Sequence, residues 1–308
     1  MTKFRVGTRG SLLALTQTRL FTSELLQSFA ELELEEVLIQ TQGDISTEPL
    51  SESKTPGLFV SALREALLEN RVDFIIHSMK DLPANPYPGI ATACVPVRQD
   101  PRDGLVSRQG LSLNELPGGS LVGTSSPRRA ASIRRARPDL YVTSIRGNVD
   151  TRIAKVERGE YDATLLAMAG LNRISRADAV CQIFDAHHFV PAAGQGALAI
   201  ECREEDTQLI EILSSLDHAE TRLITTAERA VLSGLNAGCA TAIGAVATYQ
   251  NGLLKLTAEL AVEQTGAAQR VDLEQPVSVS DLAAARTLGL QTAQRRLESP
   301  LAKEADWS

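Results

Sequence analysis

Short apolar runs alternate with helix-periodic segments through the first two thirds of the chain, and this rhythm constrains the fold more than any other feature. "FRVGT" (4–8) precedes "SLLALTQTRLFTSELLQSF" (11–29), and "LEEVLIQT" (34–41) precedes "GLFVSALREALLEN" (57–70). "VDFIIHS" (72–78) is apolar over most of its length, as expected of a strand covered on both faces. The pattern resumes with "SLVGT" (120–124), "SPRRAASIRRA" (126–136), "LYVTSI" (140–145), "VDTRIAKVERG" (149–159) and "YDATLLAM" (161–168). Parallel strands need a crossover, usually helical, so the alternation predicts an α/β chain with mainly parallel sheets.

A length of 308 residues exceeds what one ordinary core encloses, so two or three domains are expected. "VPVRQDPRDG" (95–104) and "VPAAGQGA" (190–197) have the Pro and Gly content of linkers. Two crossings predict a middle domain inserted into the first: residues 1–96 and 197–216 form domain 1, and 102–190 form domain 2. Such a layout allows hinge closure on a ligand. From 219 onward, a helix, three strand-like runs and a final helix predict a small α+β domain over 219–308. The polar stretch "QGDISTEPLSESKTPG" (42–57) is expected to be a loop, a candidate lid.

Composition narrows the function classes. The N-terminus carries no signal-peptide pattern and no run of about 18 apolar residues suggests a membrane span, so a cytoplasmic protein is expected. Cys94, Cys181, Cys202 and Cys239 are far apart, and His77, His187, His188 and His218 lack ligand spacing, so no metal site is expected. Charge is unevenly placed. The chain is −7 overall, yet residues 98–176 hold 13 arginines and one lysine against eight acids. Arginine is favoured where planar forks must hold carboxylates or phosphates. An acidic chain with an arginine-rich middle and 4% aromatics points to small anions rather than nucleic acid.

Four segments fall where ligands gather in such sheets, at the carboxyl ends of strands. "GTRGS" offers Arg9 and Ser11 at a helix start. "HSMKDLP" offers Lys80 and Asp81 after a buried strand; Asp81 is a candidate for acid–base work or for holding an N–H cation, and equally for a structural ion pair. In "VGTSSPRRAA", Ser126 suits an N-cap and Pro127 the first helical position, which puts Arg128 and Arg129 in the first turn. Cations there oppose the helix dipole, so an incoming anion is indicated, with Thr124, Ser125 and Ser126 as further donors. Arg134, Arg135 and Arg137 fit a solvated basic face better. Arg146, Arg152 and Arg173 follow the next two strands and would join the same edge. In "LNAGCATAIGA" (235–245), Cys239 stands alone among small residues. A lone cysteine usually fills core space, while small neighbours leave room for a bulky attached group; the residues alone allow both.

Together the segments resemble the porphobilinogen deaminase family. The matching pieces are "TRGSLLAL", "TQGD", "GLFVSALREALLENRVDFIIHSMKDLP", "RQDPRDGLVS", "VGTSSPRR", "RPDL", "IRGNVDTR", "GEYDATLLAMAGLNR", "VPAAGQGALAIECR", "TAERA" and "AGCATAIG". They run in family order over nearly the whole length, weakening after about 250. The resemblance implies two periplasmic-binding-protein-like domains plus the small third one. It also implies a dipyrromethane cofactor attached through a thioether to Cys239, and porphobilinogen as substrate.

By the same resemblance Asp81 is the catalytic carboxylate. Lys80, Arg128, Arg129, Arg146, Asp44, Thr124, Ser125 and Ser126 would face the cofactor. Arg9, Ser11, Arg146, Arg152, Arg173, Gln195 and Phe59 would face the substrate. A monomer that binds neither nucleic acid nor membrane is expected. The chain departs from the family pattern at Pro56, where a lysine is common and Lys54 stands nearby. It departs again at Ala237 and Ala242, where the cysteine motif usually has glycine and proline.

Overall fold

The computed structural model describes residues 2–40, 58–236 and 241–297, with side chains at 3–40, 60–236 and 241–295. In chain order the first strands are β1 Thr2–Thr8, β2 Leu32–Leu38, β3 Phe74–Ser78 and β4 Ile90–Cys94. Next come β5 Asp103–Ser107, β6 Leu121–Gly123, β7 Tyr141–Thr143, β8 Ala163–Ala167 and β9 Gln182–Ile183. β10 Leu198–Arg203 is followed by β11 Ile243–Gln250, β12 Leu253–Ala261 and β13 Ala268–Pro276. The chain forms two compact units, Met1–Arg98 with Ala197–Arg222, and Gln99–Gly196 with Leu223–Ser308.

The first unit holds a five-stranded sheet in the order β2-β1-β3-β10-β4. Phe74 and Ile76 of β3 enter a core with Phe21, Leu25, Ile200 and Leu213. Ile75, between them, enters a second core with Leu63, Leu67 and Ile90. The two-residue period of a strand thus explains why this segment is apolar throughout: helices cover both faces.

The second unit holds another five-stranded sheet, β7-β6-β8-β5-β9, and a three-stranded one, β11-β12-β13. The three-stranded sheet is antiparallel and carries the helices Ala219–Gly234 and Leu282–Leu297, with Leu223, Ala227, Val231, Leu256, Ala285 and Leu288 in their shared core.

The expectation of mainly parallel sheets is overturned: both large sheets are mixed. β1 pairs parallel with β2 and β3, but β10 pairs antiparallel with β3 and β4. Likewise β6 pairs parallel with β7 and β8, but β5 pairs antiparallel with β8 and β9. The antiparallel pairings are made by β4, β5, β9 and β10, none of which stands out in the sequence. β5 begins inside the stretch expected to be a linker, and β10 contains charged residues.

Those charges are satisfied largely by residues far along the chain. Glu201 on β10 is 2% exposed and receives a bidentate fork from Arg64, with Nε and Nη2 at 2.9 and 2.6 Å. Arg203 donates to the carbonyls of Leu67 and Val72 and pairs with Asp73 and Asp206. Where the chain enters β10, Gly196 has φ +90°, and its carbonyl accepts the Gln99 N–H at 3.2 Å.

Two predictions follow from these contacts. Burial alone would raise the Glu201 carboxyl, but the Arg64 fork, with His77 Nε2 nearby at 3.5 Å, holds it down at about 2. A depressed carboxyl stabilises the fold above its unfolded pKa and loses that contribution as pH falls. Glu201→Gln should therefore be less stable than wild type by about 3 kcal/mol at pH 7. The gap should close between about pH 5 and pH 2, as read from denaturation midpoints across that range. At position 196, an added Cβ would overlap the Gln99 carbonyl oxygen, and the positive φ strains any L side chain. Gly196→Ala should lower stability by about 2 kcal/mol or more, measurable as a drop in Tm.

Candidate active site

In the first unit, parallel pairing of β1 with β3 brings two chemically active segments to one sheet edge. Arg9 and Ser11 follow β1, and Ser11 caps the helix Leu12–Ser28 by accepting the Ala14 N–H at 3.3 Å. β3 is followed by the single turn Met79–Asp81. The Met79 N–H binds the Ala197 carbonyl at 3.0 Å, and the Leu82 N–H closes the turn on Met79. The Gln17 amide reaches Ser78 Oγ at 2.8 Å, and Thr18 reaches Thr8 at 2.8 Å, so this helix is pinned to both strand ends. Lys80 is half-buried and Asp81 exposed. The turn thus presents a carboxylate to solvent from a rigid base.

In the second unit, β6, β7 and β8 run parallel and deliver their carboxyl ends to one edge. Ser126 caps the helix Pro127–Ala136, accepting the Arg129 N–H, and Pro127 takes the first position. The Ser126 N–H binds Thr124 Oγ1, and Ser125 Oγ donates to the Ile145 carbonyl at 2.7 Å, which knits the turn after β6 to the turn after β7. There, half-buried Arg146 precedes Gly147, whose φ of +110° a side chain would not tolerate beside Thr151. Asn148 caps the helix Val149–Glu157, and Arg152 folds back so that Nε donates to the Gly147 carbonyl at 2.8 Å.

β5 runs against β8, with Asp103 opposite Ala167, so the start of β5 reaches this same edge. Asp103 is fully buried. Its Oδ2 accepts Arg128 Nη2 at 2.9 Å, and its Oδ1 accepts Arg129 Nη2 at 2.7 Å and Gln195 Nε2 at 2.8 Å. Arg128 also donates to the Val190 carbonyl at 2.8 Å and Arg129 to the Leu165 carbonyl at 3.1 Å. Both guanidinium groups are more than nine-tenths buried, and Arg129 Nε has no hydrogen-bond partner among the described residues. Burial would raise the Asp103 carboxyl, but the fields of Arg128 and Arg129 hold it far below the ordinary carboxylate value. Two cations share one anion, so the cluster keeps a net charge of about +1.

Arg173 ends the helix Met168–Arg173 after β8. It donates to the Gly196 carbonyl at 2.7 Å and has no carboxylate partner among the described residues. Burial pulls its guanidinium down to about 10. A desolvated cation with one backbone acceptor is a ready receptor for an anion.

The residues assigned from sequence divide accordingly. Arg9, Ser11, Lys80 and Asp81 gather at one edge of the first sheet; Thr124, Ser125, Ser126, Arg128, Arg129, Arg146, Arg152 and Arg173 gather at one edge of the second. Gln195 is fully buried and directed at Asp103 and the Pro101 carbonyl. Phe59 is the second residue of the helix Leu58–Leu68. Asp44, Lys54, Pro56, Ala237 and Cys239, and the candidate lid, lie outside the described residues. Ala242 is buried with Ala131, Ala261 and Ala268, so it packs on the helix that carries Arg128 and Arg129.

Arg134, Arg135 and Arg137 are not a free solvated face. Arg135 pairs with Glu259 at 3.0 Å, Arg134 donates to the Glu263 carbonyl, and Arg137 donates to the carbonyls of Leu113, Asn114 and Leu116. Asp103 is the residue that sequence reasoning missed. The available signal was an acid placed directly before the apolar run of β5.

Among the described residues no His/Cys/Asp/Glu cluster could hold a metal, and no helix is long and apolar enough to cross a membrane. Cys94 and Cys202 are buried, which pushes both thiols up to about 12 and leaves them unreactive at neutral pH.

Comparison with known proteins bears on this arrangement. Residues 4–211 match the model of the porphobilinogen deaminase dipyromethane cofactor binding domain, and residues 223–298 match the porphobilinogen deaminase C-terminal domain. A porphobilinogen deaminase of Thermobifida fusca is 46% identical over 303 residues, 96% of this chain and 94% of its own. One from Leifsonia xyli is 48% identical over 269 residues, 86% and 81% of the two chains. One from Mycobacterium bovis is 43% identical over 307 residues, 98% of each. Among solved structures, the methionine-binding protein MetQ superposes with a TM-score of 0.45 at 11% identity, over 70% of this chain and 89% of its own. An overlap that shallow carries no statement about this chain. Sequence identity of this extent along both matched regions does: the chain belongs to the porphobilinogen deaminase family.

Proposed function

We propose that the two sheet edges perform the family reaction in distinct roles, with Asp81 at the reacting atoms and the arginines of the second unit holding carboxylates. The reaction joins four porphobilinogen molecules head to tail with release of four ammonia molecules, and water then cleaves the chain from its primer as linear hydroxymethylbilane. The observation that carries the division of roles is the surplus of buried guanidinium charge at the β6–β8 edge. Arg128 and Arg129 outnumber Asp103, and Arg173 has no carboxylate partner among the described residues.

The same surplus suits an acidic cofactor. A dipyrromethane bears acidic side chains, and the desolvated Arg173 and the orphaned Arg129 Nε are the kind of donors such groups require. Cys239 would anchor it, and Arg128, Arg129, Arg146 and the hydroxyls of Thr124, Ser125 and Ser126 would hold its carboxylates. When bound, it supplies the free pyrrole carbon to which the first substrate unit is joined.

In each turn the substrate's aminomethyl C–N bond breaks, ammonia leaves, and positive charge develops over the pyrrole. A C–C bond then forms, and the pyrrole carbon that made it loses a proton. The Asp81 carboxylate, fixed by its turn at the end of β3, stabilises the cation and accepts pyrrole N–H groups. Arg9, Arg152 and Arg173 would take the two carboxylates that each new unit brings. In this reading the chain acts as a cytoplasmic monomer of three domains. The three sheets, each with its own core, support the domain count.

Intact-mass measurement tests the anchor: wild type should carry a two-pyrrole adduct, and Cys239→Ser should lack it. An adduct retained in the serine variant would remove Cys239 from its role. Asp81→Ala should keep the adduct while losing turnover by about 100-fold or more. Turnover near the wild-type rate would leave the cation without its proposed stabiliser.

A further inference from the structure

The strongest unassigned feature lies one layer behind the arginines. Asp103 makes no solvent contact, lies at the N-terminal end of an antiparallel strand, and presents one oxygen to each of two neighbouring guanidinium groups. We propose that Asp103, oriented by Gln195, is a positioning residue that holds Arg128 and Arg129 as a preorganised receptor for the carboxylates of the pyrrole cofactor. This inference rests on the functional reading above and extends it to two residues that would never touch the ligand.

Three features favour positioning over simple charge compensation. A buried anion needs one cation to neutralise it, and here it takes two, one on each oxygen. Carboxylate geometry therefore sets the spacing of the guanidinium groups. Each guanidinium is fixed at a second point by a carbonyl from a different segment, Val190 for Arg128 and Leu165 for Arg129. Gln195 fixes the carboxylate in turn, because its amide donates both to Asp103 Oδ1 and to the Pro101 carbonyl, two residues before β5. Neither arginine can change rotamer without breaking a buried ionic contact. The cluster nevertheless keeps its positive surplus, and Arg129 Nε keeps a proton with no acceptor among the described residues. A receptor needs that combination of a fixed fork and remaining charge.

The test uses the full chain, produced in cells unable to make porphobilinogen and then incubated with it. Intact mass follows the growth of the two-pyrrole adduct on Cys239 in wild type, Asp103→Asn and Gln195→Leu, with Tm and steady-state kinetics measured on the loaded proteins. Asparagine keeps the shape of Asp103 and removes the charge that gathers the arginines. Leucine keeps the bulk of Gln195 and removes its donors.

Positioning predicts at least tenfold slower adduct formation in Asp103→Asn, with a raised KM and accumulation of enzyme carrying incomplete chains. Gln195→Leu should show the same pattern, about threefold. A purely structural role predicts a lower Tm with wild-type loading rate and KM, and that result overturns the proposal. Should Asp103→Asn fail to fold, Gln195→Leu decides alone: slower loading at unchanged Tm supports positioning, and wild-type loading refutes it. If wild type itself takes up no adduct, the functional reading fails instead, which separates the two.

Discussion

One carboxylate shared between two guanidinium groups organises the second unit. Two like charges 4 Å apart repel by about 4 kcal/mol at an effective dielectric of about 20, so adjacent buried arginines need an anion between them. Asp103 supplies it, and the need dictates topology. A strand parallel to β8 would start at the opposite edge of the sheet; only an antiparallel β5 brings its first residue to the carboxyl ends of β6 and β8. The mixed sheet is thus a requirement of the arginine cluster as well as a packing outcome. Removing one partner from a buried ionic group typically costs 3–5 kcal/mol, roughly, so the fold and the receptor depend on the same contact.

The same physics explains which strands were legible. β1, β3, β6 and β8 are apolar runs flanked by helical patterns, and local sequence alone identifies them. β10 reads "LAIECR" and is buried at every position, including Glu201 and Arg203. Glu201 is satisfied by Arg64 and Arg203 in part by Asp73, both more than 100 residues away in the chain, with Asp206 a near partner of Arg203. No window of sequence contains both halves of such a pair, so the strand looks amphipathic and its direction is invisible. β5 is masked differently, since its opening acid sits among the prolines and charges of a stretch with linker composition. A parallel prediction followed because the visible strands happened to be the parallel ones.

Site residues divide along similar lines. Caps are local, and Ser11, Ser126 with Pro127, and the turn through Gly147 and Asn148 stand where their chemistry dictates. The dipole argument on Arg128 and Arg129 asks for an incoming anion; the anion observed there is internal, and nothing in "VGTSSPRRAA" could reveal an acid 25 residues earlier. Gln195 inverts in the same way: taken from its motif as a contact to substrate, it turns inward to a carboxylate. Asp44 and Cys239 rest on family resemblance, because a lone acid or thiol in a small-residue loop has no local signature.

The arginine cluster is also tied to the elements that bracket residues 237–240. Glu228, in the helix before that segment, accepts the N–H of Gly194 beside Gln195 and the N–H of Ala247 on β11, which follows it. Ala242 packs against Ala131 of the arginine helix, and Gly266 brings the β12–β13 turn so close that a side chain there would strike the backbone of that helix. In the proposed reading, a group anchored in this part of the chain and held by Arg128 and Arg129 would be gripped within one compact unit. Such stiffness suits a group that never leaves, because ordering it is done once rather than at every turnover. Residues that meet successive substrate units must release what they bind. In the proposed reading Arg173 fits that task, making among the described residues one hydrogen bond to a backbone carbonyl rather than a buried carboxylate bridge. On that proposal, permanent and passing carboxylates would be distinguished by how firmly the protein holds its own arginines.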